Sequence, residues 1–198
     1  SVFLESTDRS KITIVGDKLA TNYDAIWLYN ELDADGTPKT DANGNQIIKD
    51  IYGHTGDSED DAYQISTAQQ FLSFAYEVQG KERGSENGST LSGGIDFTGK
   101  YIKLDADIYL QESRNSDALS WEGIGDATHA FNGTFLGGGR IISRLKGNTL
   151  FENLGEDAVV DNLTLQDIID IGSDEGALAN VNNGKIIGCK ISSNVKST

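Results

Sequence analysis

The chain has 198 residues, with 31 acidic against 16 basic side chains and a formal net charge of −15. This length supports a sizeable apolar core in one domain or in one domain with a small appendage. The acidic excess argues against binding to nucleic acid or to an anionic membrane by simple attraction. The only cysteine, Cys189, cannot form an internal disulfide or a cysteine metal cluster.

The chain begins at Ser1, contains no methionine and has neither a leader-like segment nor an apolar run long enough to cross a bilayer. We therefore expect a piece of a longer precursor that does not itself insert into a membrane.

The first 60 residues predict a β-hairpin segment. Residues 11–15 alternate like a strand, and residues 25–29 and 46–52 are apolar stretches on either side of a polar loop over residues 31–45. This loop is rich in Asp, Asn and Gly, which favour turns.

The tip of this predicted hairpin offers two oxygen-rich turns that could hold calcium, a hard cation. A helix-loop-helix calcium loop does not fit, because counting from Asp41 puts Gln46 and Tyr52 where glycine and glutamate are needed. Tight hairpin turns use the same Asp-Gly and Asn-Gly pairs, so plain turn chemistry is the other interpretation. The candidate ligands are Asp33, Asp35, Asp41, Asn43 and Asn45.

After an acidic linker over residues 53–61, the pattern becomes helical. Residues 66–79 have apolar side chains at helical spacing, Ser66 and Gln69 form a capping box, and Gly80 is typical of a helix end. One amphipathic helix in a β chain would cover the open end of a stacked β structure, so we predict an N-terminal cap.

Residues 100–110 alternate strictly between apolar and polar side chains and predict the first strand of the stack. Asp105 and Asp107 share one face, where they could do acid-base chemistry. The alternative is a solvated strand face whose charges discourage edge pairing.

The second half repeats a short phrase of apolar, polar and apolar residues, led by Ile142, Val160 and Ile186. The lead positions are 160 − 142 = 18 and 186 − 160 = 26 residues apart, about one turn of a stacked β-coil. Asn162 could belong to an internal amide ladder, which Arg144 and Gly188 would interrupt.

Several motifs resemble a group of bacterial cell-surface repeat proteins with GLUG motifs, found in adhesin-like proteins and beside immunoglobulin-A peptidase modules. The motifs are Tyr63-Gln64-Ile65-Ser66-Thr67-Ala68, Phe97-Thr98-Gly99-Lys100-Tyr101-Ile102, Trp121-Glu122-Gly123-Ile124-Gly125, Phe131-Asn132-Gly133-Thr134-Phe135 and Gly176-Ala177-Leu178-Ala179-Asn180. The chain departs from the family pattern at Asn180 and at residues 136–139.

The resemblance covers residues 63–193 and implies an exported, right-handed parallel β-helix. The predicted fold class is therefore mainly β: a short β-helix solenoid over residues 61–198, with its capping helix, behind the hairpin segment of residues 1–60. The resemblance transfers no catalytic residue and implies a location at the cell surface or outside the cell.

Enzyme signatures are weak in this sequence. His54 and His129 have no partner at metal-ligand spacing, and Cys189 takes an apolar position of its phrase, where a small buried filler is expected. No nucleophile elbow, phosphate loop or dinucleotide fingerprint is present. We therefore predict a protein that is not an enzyme and that needs no cofactor apart from the calcium considered above.

The leading interpretation is a surface module for cell adhesion, with a glycan, a matrix protein or a host surface protein as its partner. Trp27, Tyr29 and Trp121 could stack on sugar rings, although such residues also serve as core. The final predicted strand, residues 185–195, has no capping sequence, so either the chain continues or another surface covers this edge.

Two alternatives remain open. One is a carbohydrate-active β-helix enzyme, for which the nearby charged residues are Glu122, Asp126, Arg140 and Arg144. The other is a stalk or spacer that binds nothing.

Overall fold

The computed structural model describes residues 27–80, 94–110, 121–168 and 176–192. The predicted strand at residues 11–15 lies outside these residues. The described part is mainly β, with thirteen short strands and one helix. The elements are β1 (Leu28–Asn30), β2 (Ile48–Asp50), β3 (Tyr63–Ile65), α1 (Ala68–Gln79), β4 (Tyr101–Leu104), β5 (Ile108–Tyr109), β6 (Thr134–Leu136), β7 (Ile141–Ser143), β8 (Phe151–Leu154), β9 (Val159–Asp161), β10 (Thr164–Gln166), β11 (Ala179–Asn182), β12 (Lys185–Ile187) and β13 (Lys190–Ser192).

Three parallel sheets form the main body. Sheet 1 has the order β12-β9-β6-β4-β3, sheet 2 the order β13-β10-β7-β5, and sheet 3 pairs β11 with β8. From β6 onward the chain visits sheet 1, sheet 2 and sheet 3 in turn, and each passage, here called a circuit, adds one strand to each sheet. The prediction of a mainly β chain with a single helix is confirmed for the described residues.

The pairing register corrects the repeat assignment. Val160 pairs with Phe135 on one side and Ile186 on the other, whereas Ile142 pairs with Leu165. The first repeat is therefore led by Phe135, and the spacings are 160 − 135 = 25 and 186 − 160 = 26 residues.

The predicted alignment of Ile142 with Val160 was wrong because two corners of the circuit have the same local pattern. Arg144, after sheet 2, and Asn162, after sheet 1, both have positive φ values, of 62° and 50°. Each is followed by a fully buried leucine. The predicted asparagine ladder depended on this alignment. Because Arg144 and Asn162 occupy different columns of the stacked strands, the ladder is wrong.

The two-residue period of residues 100–110 is confirmed, but the strand is broken. Ile102, Leu104 and Ile108 are buried, and a bend at residues 105–107 divides the segment into β4 in sheet 1 and β5 in sheet 2. Because the chain changes sheets at this bend, the alternation belongs to two strands.

Aromatic side chains fill the interior near α1. Phe74 lies at the centre, with ring centroids 5.4 Å from both Phe97 and Phe131 and 5.7 Å from Phe135. Trp27, from the segment before β1, joins the same cluster 5.6 Å from Phe74. Aromatic pairs at these separations add to the apolar burial that stabilises the core. The hairpin therefore shares its core with the stacked sheets.

Helix α1 begins two residues later than predicted. Thr67 is the N-cap, and its side chain accepts a hydrogen bond from the backbone N–H of Gln70, while the Gln70 side chain accepts one from the N–H of Ser66. The sequence predicted the capping pair Ser66 and Gln69, which is one residue too early. Thr67 and Gln70 have the same chemistry and the same three-residue spacing, so the sequence pattern does not tell the two pairs apart. Gly80 ends the helix with φ at 65°, as predicted.

The helix lies against β5, the terminal strand of sheet 2, and follows β3, the terminal strand of sheet 1. Its buried Gln79 donates hydrogen bonds of 3.1 and 3.0 Å to the carbonyls of Gly123 and Gly125. This is the position that an N-terminal cap would occupy, because the helix fills the place of a strand beyond β5.

The outer edge of β3 is closed by side chains from the hairpin. The Trp27 indole N–H donates to the Gln64 carbonyl at 2.8 Å, and the Gln64 N–H donates to the Asp50 carboxylate at 2.7 Å. The Tyr63 hydroxyl donates to the Ile48 carbonyl at 3.2 Å. We call these three bonds the latch. The first two occupy the outward N–H and carbonyl of Gln64, which an edge strand would otherwise leave open to another strand, and the third joins β3 to the hairpin.

Asp50 is fully buried and belongs to both the hairpin and the latch. In addition to Gln64, its carboxylate accepts hydrogen bonds from the N–H groups of Tyr52 and His54, both at 2.9 Å, and contacts the His54 imidazole at 2.9 Å. A buried carboxylate is tolerated only where such donors replace water.

The predicted linker over residues 53–61 is a folded segment. Asp61 accepts hydrogen bonds from the backbone and hydroxyl of Thr55, and Asp57 pairs with Lys100. The Gly56 carbonyl accepts from the N–H of Tyr101 at the start of β4. Two of the acidic residues, Asp57 and Asp61, hold this segment in place through their bonds to Thr55 and Lys100, which the acidic composition does not reveal.

Replacing Asp50 tests the latch. Asp50→Ala leaves three backbone N–H groups without their acceptor, so we expect the free energy of unfolding to fall by at least about 3 kcal/mol. Denaturant titration followed by circular dichroism measures it, with Asp35→Ala, an exposed aspartate of the hairpin turns, as the control. An equally small loss in both variants would show that the latch adds no stability.

Gly137 tests the close approach of neighbouring circuits. A Cβ at Gly137 would lie 2.5 Å from the Asn162 carbonyl oxygen, so Gly137→Ala should destabilise the fold by about 2–3 kcal/mol. Gly147 has φ at 89° but open space around it, and Gly147→Ala should cost about 1 kcal/mol from backbone strain alone. Denaturation midpoints measure both, and an equal or larger loss at Gly147 would contradict the steric explanation.

Candidate functional site

The hairpin tip is built from two turns that repeat every eight residues. Asp33 and Asp41 start the turns, and Gly36 and Gly44 have the same φ of 85° in each. In both turns the glycine N–H donates to the carbonyl of the starting aspartate, at 2.9 and 3.1 Å. The eight-residue repeat is visible in the sequence, but the interpretation above used only the turn residues and missed it.

A ring of three backbone hydrogen bonds joins the bases of the turns. The Glu31 N–H donates to the Ile47 carbonyl, Ile47 to Lys39, and Lys39 back to Glu31, at 2.7 to 2.9 Å. The Glu31 carboxylate bridges Lys39 and Lys49, each at 2.9 Å, and these hydrogen bonds lower its pKa. The repeat therefore fixes both turns side by side.

The carboxylates of the two turns bond to their own backbone. Asp41 accepts hydrogen bonds from the N–H groups of Asn43 and Asn45 at 2.8 and 2.9 Å, and Asp35 accepts one from Thr37 at 3.1 Å. Backbone hydrogen bonds, from Asn45 to Asp41 and from Thr37 to Asp35, lower the pKa of both exposed carboxyls. This geometry is ordinary Asx-turn chemistry.

Calcium binding by the two turns stays a prediction. All five candidate residues, including Asp33, are exposed at the tip, with Asp33 and Asp35 on one turn and Asp41, Asn43 and Asn45 on the other. Across the ranges described above, no three or more His, Cys, Asp and Glu side chains are grouped closely enough to hold a metal ion.

Both histidines have carboxylate partners, which the sequence interpretation did not identify. His54 contacts buried Asp50, and the His129 Nδ1 lies 3.0 Å from both carboxylate oxygens of Asp126. The Thr128 hydroxyl donates to Asp126 at 2.8 Å. The spacings of three and four residues were visible in the sequence, but the tight turns that bring the side chains together were not.

Asp126 is held in its ionised form. Partial burial raises the pKa of its carboxyl, but hydrogen bonds from Thr128 and His129 outweigh burial and together lower the pKa to about 2. An ionised Asp126 fixes the proton of His129 on Nδ1, so that Nε2 is the nitrogen able to accept a proton or bind a ligand.

A cavity of about 550 Å³ lies beside His129, next to the last turn of α1. It has apolar and polar walls, with Val78 and Ile95 among the former and Asp96, Thr128 and Asn132 among the latter. A histidine with a fixed tautomer beside a cavity is able to act as a general base or as a hydrogen-bonding group for a small polar ligand.

The last described strand of each parallel sheet exposes apolar side chains. Val181, Ile186, Ile187 and Ile191 are 37–54% exposed on β11, β12 and β13. The half-buried Cys189 lies between β12 and β13, and burial raises the pKa of its thiol. The predicted role of Cys189 as a small apolar filler holds only in part.

The aromatic residues proposed for sugar stacking are in the wrong place for it. Trp27, Tyr29 and Trp121 are at most 6% exposed, and Trp121 donates its indole N–H to the Thr149 carbonyl. They serve as core. The exposed aromatic side chains in the described residues include Tyr52 and Tyr109 instead.

The predicted groups of charged residues are separated by the fold. Glu122 and Asp126 flank Ile124, which forms a parallel β-bridge with Phe151 of sheet 3. Arg140 and Arg144 flank β7 in sheet 2. The carboxylates of Asp105 and Asp107 lie in the exposed bend between β4 and β5.

The Asp107 carboxylate accepts a hydrogen bond from the N–H of Ile141 at 2.9 Å. Asp107 therefore fastens one circuit to the next.

No family model, no curated protein and no solved structure matches this chain. Within residues 27–80, 94–110, 121–168 and 176–192, no helix is long and apolar enough to span a membrane.

Acid should weaken the His129 turn through Asp126. Because the pKa of Asp126 is lower in the folded chain than its usual value of 3.8, ionised Asp126 stabilises the fold above pH 4, and this stabilisation is lost as the pH falls towards 2. Between pH 4 and pH 2, the melting temperature of Asp126→Asn should therefore fall less than that of the wild type.

Asp157→Asn, which removes one charge from an exposed turn, is the matched control, and thermal melts across the pH series measure all three proteins. If Asp126→Asn and the wild type lose melting temperature in parallel, Asp126 does not carry the acid sensitivity.

Proposed function

We propose that this chain is a right-handed parallel β-helix module of an exported bacterial surface protein, and that it acts in adhesion without catalysing a reaction. The observation that carries the fold proposal is the order of strands, because successive circuits add one strand to each of three parallel sheets in the same sequence. Parallel strands joined by crossovers are almost always connected right-handedly.

The residues of the surface-protein motifs support this fold through their packing. Phe131 and Phe135 are fully buried, and a Cβ on Gly133 would lie 2.9 Å from the Phe97 side chain. Gly123 and Gly125 have φ values of 86° and 83°, which favour glycine. These motif residues therefore support the packing of the stacked strands. They are not evidence of a ligand.

Two exposed tyrosines favour a binding role over a purely structural one. Tyr109 is 53% exposed on sheet 2, and Tyr52 is 47% exposed beside the hairpin. Exposed tyrosines offer an apolar ring and a hydroxyl, which suit a sugar or a protein surface. The net charge of −15 repels acidic glycans, so the expected partner is a neutral glycan, a matrix protein or a host surface protein.

One observation favours a carbohydrate-active enzyme as the second candidate. His129 has a fixed tautomer and lies beside a cavity, as a general base for sugar chemistry would. A stalk that binds nothing is the third candidate and needs only the stack itself.

A retention and release assay separates the three functions. We expect specific retention of the chain on immobilised neutral glycans or matrix proteins without release of soluble sugar. Tyr109→Ala and Tyr52→Ala identify the binding face, since losing a stacking ring should weaken retention about tenfold at the face that binds. Tyr101→Ala, at a half-buried strand position, is the control for altered packing.

The same assay with and without calcium tests the hairpin turns. Retention that needs calcium and is lost in Asp41→Asn would support the predicted metal site. Release of soluble sugar that disappears in His129→Ala would replace the adhesive function with the enzyme. No retention on any surface would leave the stalk.

A further inference from the structure

The cavity next to the last turn of α1 has walls that backbone hydrogen bonds hold in place. Ile95 donates its N–H to the Glu77 carbonyl in that turn at 2.8 Å. Asn132 donates its N–H to the Asp96 carbonyl at 2.6 Å, and the Asp96 side chain accepts a hydrogen bond from the N–H of Thr98 at 2.9 Å. A preformed site of this kind costs a ligand less ordering than a flexible one.

The imidazole of His129 has one occupied side and one side towards the cavity wall. Its Nδ1 lies 3.0 Å from both oxygens of Asp126. A Cβ on Gly94 would lie 3.0 Å from Cδ2 on the opposite side of the ring, and also 3.0 Å from the Val78 carbonyl oxygen. Gly94 has φ at 78°, which favours glycine. The side of the ring that carries Nε2 therefore faces a space that the glycine leaves open.

Asp126 takes up the hydrogen-bonding protons of both its neighbours. The Thr128 hydroxyl donates its one proton to this carboxylate at 2.8 Å, and the ring proton of His129 is on Nδ1. Lone pairs therefore remain on Thr128 Oγ1 and His129 Nε2, and the carboxylate of Asp96, which also lines the cavity, has only acceptors. A ligand that satisfies these side chains must donate several hydrogen bonds.

The charges around the cavity favour a positive ligand. Among the described residues, the lining includes the carboxylate of Asp96 but no lysine or arginine. The last turn of α1 contains no basic residue, so nothing in it offsets the negative end of the helix dipole. The whole chain has a net charge of −15, which repels anions and attracts cations.

The other lining side chains suit an alkyl chain. Val78, Ile95 and Ala130 form an apolar part of the wall, and the cavity volume of about 550 Å³ is in the usual range for a small-molecule site. A primary ammonium group has three N–H donors, a positive charge and no acceptor. It therefore matches the acceptors, the charge and the apolar wall together.

We propose that this cavity binds a primary alkylammonium ligand. The ammonium group donates to Asp96, Thr128 and His129, and the alkyl chain packs on the apolar wall. This proposal gives His129 a binding role, and it does not depend on the proposed adhesive function.

An NMR titration of the nitrogen-15-labelled chain with n-butylammonium chloride tests the site. We expect saturable shifts of the Ala130 and Asn132 amides. Two matched ligands separate charge from hydrogen bonding, because n-butyltrimethylammonium keeps the charge without N–H donors and n-butanol has a donor without the charge. Each should bind at least about tenfold more weakly than n-butylammonium.

Asp96→Asn removes the charge from the site and keeps a side-chain oxygen for the N–H of Thr98. It should raise the dissociation constant of n-butylammonium at least about tenfold, whereas Asp157→Asn, which removes the same charge from an exposed turn, should change it less than about twofold. The absence of saturable shifts, equal affinity for n-butanol or n-butyltrimethylammonium, or an unchanged affinity in Asp96→Asn would overturn the proposal.

A free amine and a lysine side chain of a partner protein share this chemistry, and Nα-acetyl-lysine amide distinguishes them. Affinity for it equal to that for n-butylammonium would identify a lysine side chain as the ligand, and clearly weaker binding would identify a free amine. Both results support ammonium recognition. Retention on glycans without amine binding would overturn this proposal alone, and amine binding without retention would overturn only the adhesive function.

Discussion

The bonds to Gln64 determine how the stack begins. Strand β3 is the edge of a five-stranded parallel sheet. The unpaired backbone groups of an edge strand can pair with a further strand unless other groups occupy them. Here the Trp27 indole and the Asp50 carboxylate occupy the two backbone groups that a further strand would use. The antiparallel hairpin is consequently part of the main fold, because it supplies both the blocking groups and the aromatic side chain that packs on Phe74.

The two ends of the stack are chemically different. Helix α1 and the latch cover one end with apolar and hydrogen-bonding groups that fit the first strands. Among the last described strands, Ile186 and Ile191 are exposed, whereas the residues that they pair with, Val160 and Leu165, are fully buried. The proposed binding role rests on other features, the exposed rings of Tyr52 and Tyr109 and the net charge of −15.

Alternation, turn residues and capping chemistry made the β content, the helix and the hairpin predictable from the sequence. The register was not, because Arg144 and Asn162 close different corners with the same local conformation, and only strand pairing tells the corners apart. The candidate site was harder still. In the sequence, Asp50 is one acidic residue among many. Its role in closing the edge of β3 depends on its burial and on its hydrogen bond with Gln64, fourteen residues away. The pairing of His129 with Asp126 required a turn that spacing alone does not specify.

Amide hydrogen exchange at Gln64, resolved by NMR, tests the closure of the edge strand most directly. If Asp50 and Trp27 close this edge, the Gln64 amide is protected to about the same degree as Lys103 in the interior strand β4, and Asp50→Ala removes the protection at Gln64 while leaving Lys103 slow. Rapid exchange at Gln64 in the unaltered protein, at the rate of the exposed hairpin turns, would contradict the closure of the edge by the hairpin.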